Sequence, residues 1–251
     1  MAIFDCRFRS KLMGRDMPFM LVVPHEGSPY KIPGLAPKLV FCLHGIGGDY
    51  RECASKLPLE LVSTTFNLTF VLPQGDRSFF LNGFYPYEDA IVQDLVPYLT
   101  SHFILPERKD WMVMGISMGG YGAMSLISKH PDLFHKACCL SPCLDYQQIL
   151  SMAMDEKNRC GHEELLANYY IKEREYSDPG FFKFEGGPEI MIACGTEDPF
   201  YPGCLTYEKK LREEGVSVQS LYKKGSHNWF FWNKRMVEAG QFLQGLPIGR
   251  G

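Results

Sequence analysis

The stretch WMVMGISMGG occupies residues 111–120 and decides the fold that we expect. Residues 111–116 are a nearly continuous apolar run, which is typical of a strand buried on both faces of a sheet. The pattern G-x-S-x-G follows from Gly115 to Gly119, and residues 118–129 favour a helix. A serine on such a sharp strand-to-helix turn needs glycine on both sides, because side chains there would collide with neighbouring backbone. Ser117 is therefore a candidate nucleophile beside the N–H groups of a helix N-terminus.

Apolar runs on both sides of this stretch predict further strands of the same sheet. We expect strands at 3–9, 17–24, 38–43, 68–72, 111–116, 188–194 and 216–222. We expect helices at 87–103, 118–129, 205–214 and 228–242. Pro97 should kink the helix at 87–103 or delay its start. This alternation predicts an α/β fold with a mostly parallel central sheet, an antiparallel start and helices on both faces.

The domain organisation follows from length and from one unusual segment. A chain of 251 residues fits a single domain, 1–251. The polar segment at about 142–187 lacks a clear strand. We expect it to be a mostly helical insertion above the carboxyl edge of the sheet, where it would cover the candidate site.

A base and an acid are expected on loops that follow later strands. His227 comes directly after the strand predicted to end near residue 222 and is the candidate base among seven histidines. The run CGTED, after the strand at 188–194, offers two carboxylates. Asp198 is the candidate acid, with Glu197 as the alternative, since a carboxylate there could accept the imidazole N–H and fix its tautomer.

The glycine-rich run CLHGIGG at 42–48 follows the strand at 38–43. Glycines let the backbone approach a substrate closely. A serine nucleophile of this kind needs two N–H donors for the developing oxyanion, one from such a loop and one from the residue after the serine. The backbone amides of Ile46 and Met118 are the candidates. A phosphate-binding loop is the alternative, but neither GxGxxG nor GxxxxGK[ST] is present.

Composition excludes few classes of function but disfavours several partners. The net charge of −3 speaks against nucleic-acid or anionic-membrane partners. The first ten residues do not resemble a secretion signal, and no run approaches the roughly 18 apolar residues of a membrane span. Nine scattered cysteines, several in apolar runs, fit reduced buried thiols, so we expect a cytoplasmic protein. Zinc is the alternative role for the cysteines, but no C-x-x-C pair is present, and we expect no metal site.

Four motifs together carry a family resemblance: HGIGG, GISMGGYGA, CGTED and GSHNWFFW. From about residue 39 onward the chain resembles the esterase D-like α/β hydrolases, especially the tributyrin esterase branch, and feruloyl esterases are similar. The resemblance implies the α/β-hydrolase fold and a serine carboxylesterase acting on short-chain acyl esters without a cofactor. It places the triad on Ser117, Asp198 and His227, and the oxyanion amides on Ile46 and Met118.

The sequence is compatible with more than one substrate and more than one reaction. Aromatic residues near the expected mouth could grip an acyl group, and Trp229, Phe84 and Tyr85 are the candidate substrate-binding residues. The alternative substrates are feruloyl esters or acetylated xylan of plant cell walls. The alternative functions are acyl transfer of the mycolyl-transfer kind and a non-catalytic binding module. We expect a small-molecule ester as partner, and the sequence is also compatible with a homo-oligomer.

Overall fold

The apolar runs of the sequence form the inner strands of one eight-stranded sheet. A computed structural model describes residues 2–145, 148–149 and 182–249. The strands are β1 (Ala2–Ser10), β2 (Arg15–Val23), β3 (Lys38–Leu43), β4 (Leu68–Pro73), β5 (Trp111–Ile116), β6 (Lys136–Leu140), β7 (Glu189–Gly195) and β8 (Ser217–Lys223). Their order in the sheet is β1-β2-β4-β3-β5-β6-β7-β8. All eight strands lie in one sheet, and the single domain expected for residues 1–251 stays a prediction.

The sheet is antiparallel at its start and parallel for the rest of its width. The hairpin of β1 and β2 joins β4 in antiparallel pairing, and every pair from β4 through β8 is parallel. Gly115 of β5 pairs with Leu43 of β3 on one side and with Cys139 of β6 on the other. The carboxyl ends of the central strands therefore meet at one edge, where the candidate site residues follow them.

Helices cover both faces of the sheet. They are α1 (Tyr50–Lys56), α2 (Leu59–Phe66), α3 (Tyr87–Asp89), α4 (Val96–His102), α5 (Met118–Lys129), α6 (Tyr201–Glu213) and α7 (Trp229–Gln244). Buried residues of α1, α2 and α7 pack on one face, and those of α4, α5 and α6 pack on the other. The predicted α/β class, the mostly parallel sheet and the helices on both faces are confirmed.

Two helices differ in detail from the expectation. The helix predicted at 87–103 is not delayed by Pro97; α3 and α4 are joined by a π-helical segment, Ala90–Leu95. The Val96 N–H donates to the Ile91 carbonyl at the end of this segment, so the turn widens just before the proline that lacks an N–H. The helix predicted at 205–214 begins earlier, at Tyr201, because Pro202 fits the first helical turn.

The insertion predicted for 142–187 lies mostly outside the described residues. At its far end, Phe182 is buried and packs against Tyr121 of α5, with ring centroids 5.2 Å apart. Ser128 of α5 also donates a hydrogen bond to the Lys183 carbonyl, at 3.0 Å. The chain that returns from this segment is thus anchored on the helix that follows Ser117.

Across the described ranges, no helix is both long enough and apolar enough to span a bilayer. The eight cysteines in these ranges are free thiols.

Candidate active site

Ser117 stands on the turn between β5 and α5 in a backbone conformation that side chains rarely adopt. Its φ is 56° and its ψ is −118°. A Cβ atom on Gly115 would lie 2.0 Å from the Gly119 carbonyl oxygen, and one on Gly119 would lie 2.2 Å from the Leu43 carbonyl oxygen. Both positions therefore require glycine, as the sequence motif predicts. The strained turn holds a serine between the ends of β3 and β5.

Backbone hydrogen bonds fix this turn on both sides. The Ser117 N–H donates to the Leu140 carbonyl at 2.9 Å, and the Ser117 carbonyl accepts from the Gly120 N–H at 2.9 Å. Met118 is the first residue of α5, where N–H groups have no acceptor within the helix. The Met118 amide therefore lies next to the serine at the start of α5, and its role as an oxyanion donor stays a prediction.

The structure brings the three predicted triad residues into one hydrogen-bonded row. His227 Nε2 lies 3.0 Å from Ser117 Oγ, and His227 Nδ1 lies 2.9 Å from Asp198 Oδ2. The Asp198 side chain is fully buried, whereas that of His227 is 24% exposed. An Nδ1–H that donates to the carboxylate leaves Nε2 free to accept the serine proton.

The turn after β7 decides which of the two carboxylates meets the histidine. Asp198 points inward, where its second oxygen accepts the Phe200 N–H at 2.9 Å. Glu197 is exposed and lies 3.9 Å from Lys224. The preference for Asp198 over Glu197 therefore agrees with the geometry.

Aromatic rings clamp the imidazole from two sides. The Phe200 and Trp232 rings meet the His227 ring edge to face, with centroids 5.0 and 4.9 Å away. The Trp232 Nε1–H donates to the buried Ser141 hydroxyl at 3.0 Å. The ring can therefore swing little, which keeps both of its nitrogens aligned with their partners.

Cys143 is a neighbour of Ser117 that sequence reasoning missed. Its Sγ lies 3.3 Å from Ser117 Oγ, and its N–H donates to the Ser117 carbonyl at 3.3 Å. Burial raises the pKa of this thiol, although the hydrogen bond with Ser117 acts in the opposite direction. The thiol is thus neutral beside the serine. Its position depends on the path of the chain after β6, which no local sequence signal reveals.

The predicted oxyanion loop lies against Ser117. A Cβ atom on Gly45 would lie 3.6 Å from Ser117 Cβ, so the backbone of this loop passes beside the serine. The Ile46 side chain is exposed, and the role of its backbone amide as an oxyanion donor stays a prediction. Inside the loop, His44 is fully buried, and its two ring nitrogens lie 2.8 Å from the Gly45 carbonyl oxygen and 3.0 Å from the Gly75 nitrogen. The predictions did not include this histidine.

The predicted substrate-binding aromatics lie on two different loops. Phe84 and Tyr85 are 71% and 44% exposed and pack edge to face against each other between β4 and α3. Trp229 is half-buried at the start of α7 and packs against Trp232, with Lys56 Nζ 5.1 Å from its ring centroid. Their role in substrate binding stays a prediction.

This arrangement is suited to acyl transfer. A buried serine hydroxyl, an aligned imidazole and a buried carboxylate can activate an oxygen nucleophile without a cofactor. Within the described residues, no group of three or more His, Cys, Asp or Glu side chains is placed to hold a metal ion.

Comparison with known families identifies the chain. The Esterase family model, described as "Putative esterase", matches residues 10–243. The chain belongs to this family. It is a carboxylic ester hydrolase with the α/β-hydrolase fold, as the resemblance of its motifs predicts.

Individual relatives of this esterase are distant but span almost all of it. An acetyl esterase of Caldicellulosiruptor saccharolyticus is 25% identical over 97% of this chain and 98% of its own length. The S-formylglutathione hydrolase of Staphylococcus aureus superposes with a TM-score of 0.80, at 21% identity, covering 97% of this chain and 98% of that one. A ferulic acid esterase of Anaeromyces mucronatus superposes with a TM-score of 0.67, at 15% identity, covering 98% and 90%. Similarity at these identities to the two solved structures establishes the fold that this esterase shares with them.

Proposed function

We propose that this protein is a serine carboxylesterase that hydrolyses short-chain acyl esters through an acyl-enzyme intermediate. The observation that carries the proposal is the row of hydrogen bonds from Ser117 through His227 to Asp198. In this proposal Ser117 is the nucleophile, His227 is the general base and then the general acid, and Asp198 orients the imidazole. The amides of Ile46 and Met118 bind the oxyanion.

The reaction has two acyl-transfer steps. His227 removes the Ser117 proton as the oxygen attacks the ester carbonyl, and the two amides stabilise the negative oxygen that forms. The alcohol leaves with the proton from His227, and the acyl group stays on Ser117. Water then attacks the acyl-enzyme by the same route and releases the acid.

A small acyl group is supported by the names of two relatives. One is called an acetyl esterase and the other an S-formylglutathione hydrolase. Both names carry an acyl group of one or two carbons. The likeness to a ferulic acid esterase keeps hydroxycinnamoyl esters as the alternative to be tested.

The first test compares the wild type with Ser117→Ala on p-nitrophenyl acetate, butyrate and octanoate and on methyl ferulate. We expect Ser117→Ala to lose roughly 10³–10⁶ of kcat, since the variant lacks the hydroxyl that forms the acyl-enzyme. The wild type should prefer acetate or butyrate. A fluorophosphonate probe should label the wild type and leave the variant unlabelled.

The outcomes of this test separate the alternatives. Equal rates for the wild type and the variant would exclude Ser117 as nucleophile, and absence of both labelling and activity would favour a binding module. A preference for methyl ferulate would move the substrate class to hydroxycinnamoyl esters. If an added alcohol captured most of the acyl group in competition with water, the protein would be a transferase.

We also propose a cytosolic location. The eight described cysteines are free, and free thiols persist in reducing compartments. Cell fractionation with an antibody to the protein tests this, and recovery outside the cytosolic fraction would contradict it.

A further inference from the structure

His44 lies directly after β3 (Lys38–Leu43), in the loop that carries the Ile46 amide. Its side chain is fully buried. Burying an imidazole costs free energy unless both of its ring nitrogens are hydrogen-bonded. The partners of the two nitrogens therefore indicate the role of the ring.

Both nitrogens are paired with backbone groups, and these partners define the tautomer. The Gly75 N–H donates to His44 Nε2 at 3.0 Å, so Nε2 carries no proton. The proton is therefore on Nδ1, which donates to the Gly45 carbonyl oxygen at 2.8 Å. Burial lowers the pKa of His44, which keeps the ring neutral and keeps Nε2 available as an acceptor.

The Gly45 carbonyl and the Ile46 N–H belong to the same peptide unit. In a planar trans peptide these two groups point in opposite directions, so fixing one fixes the other. The same carbonyl accepts a second hydrogen bond, from the Gly48 N–H at 3.2 Å. A rotation of this peptide would break both bonds and turn the Ile46 N–H away from its present direction.

Glycine at position 45 makes such a rotation sterically easy. Without a Cβ the peptide has few barriers to reorientation, although a Cβ at this position would stand at an ordinary contact distance of 3.6 Å from Ser117 Cβ. The hydrogen bond from His44 removes this freedom without adding bulk near the serine. The ring is supported in turn by Phe80, whose centroid lies 5.3 Å away in an edge-to-face contact.

The segment that carries the Gly75 N–H, which donates to the His44 ring, is held in place as well. Gln74, the residue before Gly75, accepts the Tyr50 N–H at 3.2 Å and donates to Asp76 at 2.6 Å. Asp76 also pairs with Arg15 of β2 at 2.7 Å. The residues on both sides of Gly75 are thus held by contacts with Tyr50 and Arg15.

We propose that His44 is a positioning residue for the reaction, which holds the Gly45–Ile46 peptide so that the Ile46 N–H faces the developing oxyanion. This inference rests on the proposed function, because it requires Ile46 to be an oxyanion donor. It predicts that His44 stabilises the transition state more than it stabilises the bound ester.

The test compares two variants that each keep one half of the imidazole. His44→Asn places an amide N–H near the position of Nδ1 and can still donate to the Gly45 carbonyl. His44→Gln places its terminal group near Nε2 and can still accept from Gly75. We expect His44→Asn to stay within about tenfold of wild-type kcat, whereas His44→Gln loses about 10²-fold with KM nearly unchanged, as for removal of an oxyanion donor.

The inhibition constant of a trifluoromethyl ketone, whose adduct with Ser117 carries an oxyanion, should rise for His44→Gln in parallel with the loss of kcat. His102 provides the matched control, since its Nδ1 also lies 2.8 Å from a backbone carbonyl, that of Tyr98, but on the exposed side of α4. His102→Asn and His102→Gln should both keep the wild-type rate. Equal losses in the two His44 variants, or a folded His44→Gln with wild-type kcat, would overturn the proposal.

A measurement on the wild type keeps the proposal testable if a variant fails to fold. Nitrogen-15 NMR of histidine-labelled protein, with the imidazole resonances assigned to individual residues, should show the His44 ring neutral and protonated on Nδ1. A resonance of His44 protonated on Nε2 would overturn the proposal. This result does not depend on turnover, so it stays separate from failure of the esterase assay or of labelling at Ser117.

Discussion

At the scale of single residues, the choice between two adjacent carboxylates is the sharpest feature of the site. Asp198 is buried and bonded to His227, whereas Glu197 faces solvent one residue earlier. Both residues are acidic and both follow β7, so only the direction of the side chain distinguishes them. The pair therefore offers a matched comparison.

Asp198→Asn should lower kcat by roughly 10⁴-fold, because an amide N–H facing Nδ1 favours the wrong imidazole tautomer. The Asn oxygen can still accept the Phe200 N–H, so the fold should be kept. Glu197→Gln should leave kcat unchanged. Steady-state kinetics on p-nitrophenyl acetate checks both variants, and a large loss in Glu197→Gln would reverse the assignment.

Cys143 should resist alkylation in spite of its contact with the nucleophile. Burial raises the pKa of its thiol, so the reactive thiolate is scarce at about pH 8. We expect iodoacetamide to leave the esterase activity intact and peptide mass spectrometry to find Cys143 unmodified. Protein unfolded in urea should be alkylated at Cys143, which serves as the control. Rapid inactivation of the folded protein with label on Cys143 would contradict this.

Sequence alone predicted the row of three side chains but not their neighbours. Ser117, Asp198 and His227 each follow a recognisable strand, and parallel strands end at the same edge of a sheet. Cys143 follows β6, which was not predicted, and His44 follows a predicted strand but is paired with a distant part of the chain. One depends on the turn after β6, and the other is paired by Gly75, which lies 31 residues away.

At the scale of elements, the contact between α3 and the end of α5 depends on one buried carboxylate. Glu88 is bonded to Lys129 Nζ at 2.7 Å and to His130 Nε2 at 3.1 Å. Burial alone would raise the pKa of Glu88, but the hydrogen bonds and charges of His130 and Lys129 outweigh it and lower the pKa. The ionised form is therefore favoured in the folded state.

Glu88→Gln should reduce the free energy of unfolding by about 1–3 kcal/mol near pH 7. A lowered folded pKa means that this contribution is complete above the unfolded pKa of about 4.3 and is lost as the pH falls through the folded value. The difference between wild type and variant should therefore shrink in acid. Urea unfolding of both proteins from about pH 7 down to about pH 3 measures this difference in the free energy of unfolding.

Glu107→Gln provides the control for this series. Glu107 pairs with Lys109 at 2.9 Å, but both side chains are exposed. Its replacement should change stability little at any pH. A difference for Glu88→Gln that stayed constant down to about pH 3 would show that the carboxylate charge is not the cause.

The elements differed in how clearly the sequence predicted them, and their lengths and surroundings explain why. The strands β3, β4 and β5 are buried over almost their whole length, so their apolar runs are continuous. The strand β6 has only five residues and directly follows a turn, and it was not predicted. The helices α1 and α2, of seven and eight residues separated by Leu57 and Pro58, were also missed, because each is too short for a clear helical period.

At the scale of the whole molecule, the sheet order determines which loops can meet. Ser117 follows β5 in the middle of the sheet, whereas Asp198 and His227 follow β7 and β8 at one side. β7 and β8 pair in parallel from Glu189↔Ser217 to Gly195↔Lys223, which brings the loops after both strands together. Only β6 lies between β5 and β7, so these loops can reach Ser117. The order of strands, more than any single contact, places the site.

The 110 residues that separate Ser117 from His227 also matter while the protein is being made. During synthesis the ribosome releases the glycine-rich loop at 42–48 first, then the turn that carries Ser117, and His227 last. A nascent chain that has exposed Ser117 but not yet His227 lacks the imidazole that is proposed to take the serine proton. The edge strand β8 must still join the sheet before this imidazole reaches the serine. With His227 as the proposed base, we expect ester hydrolysis to begin only once β8 has joined the sheet and brought the imidazole to Ser117.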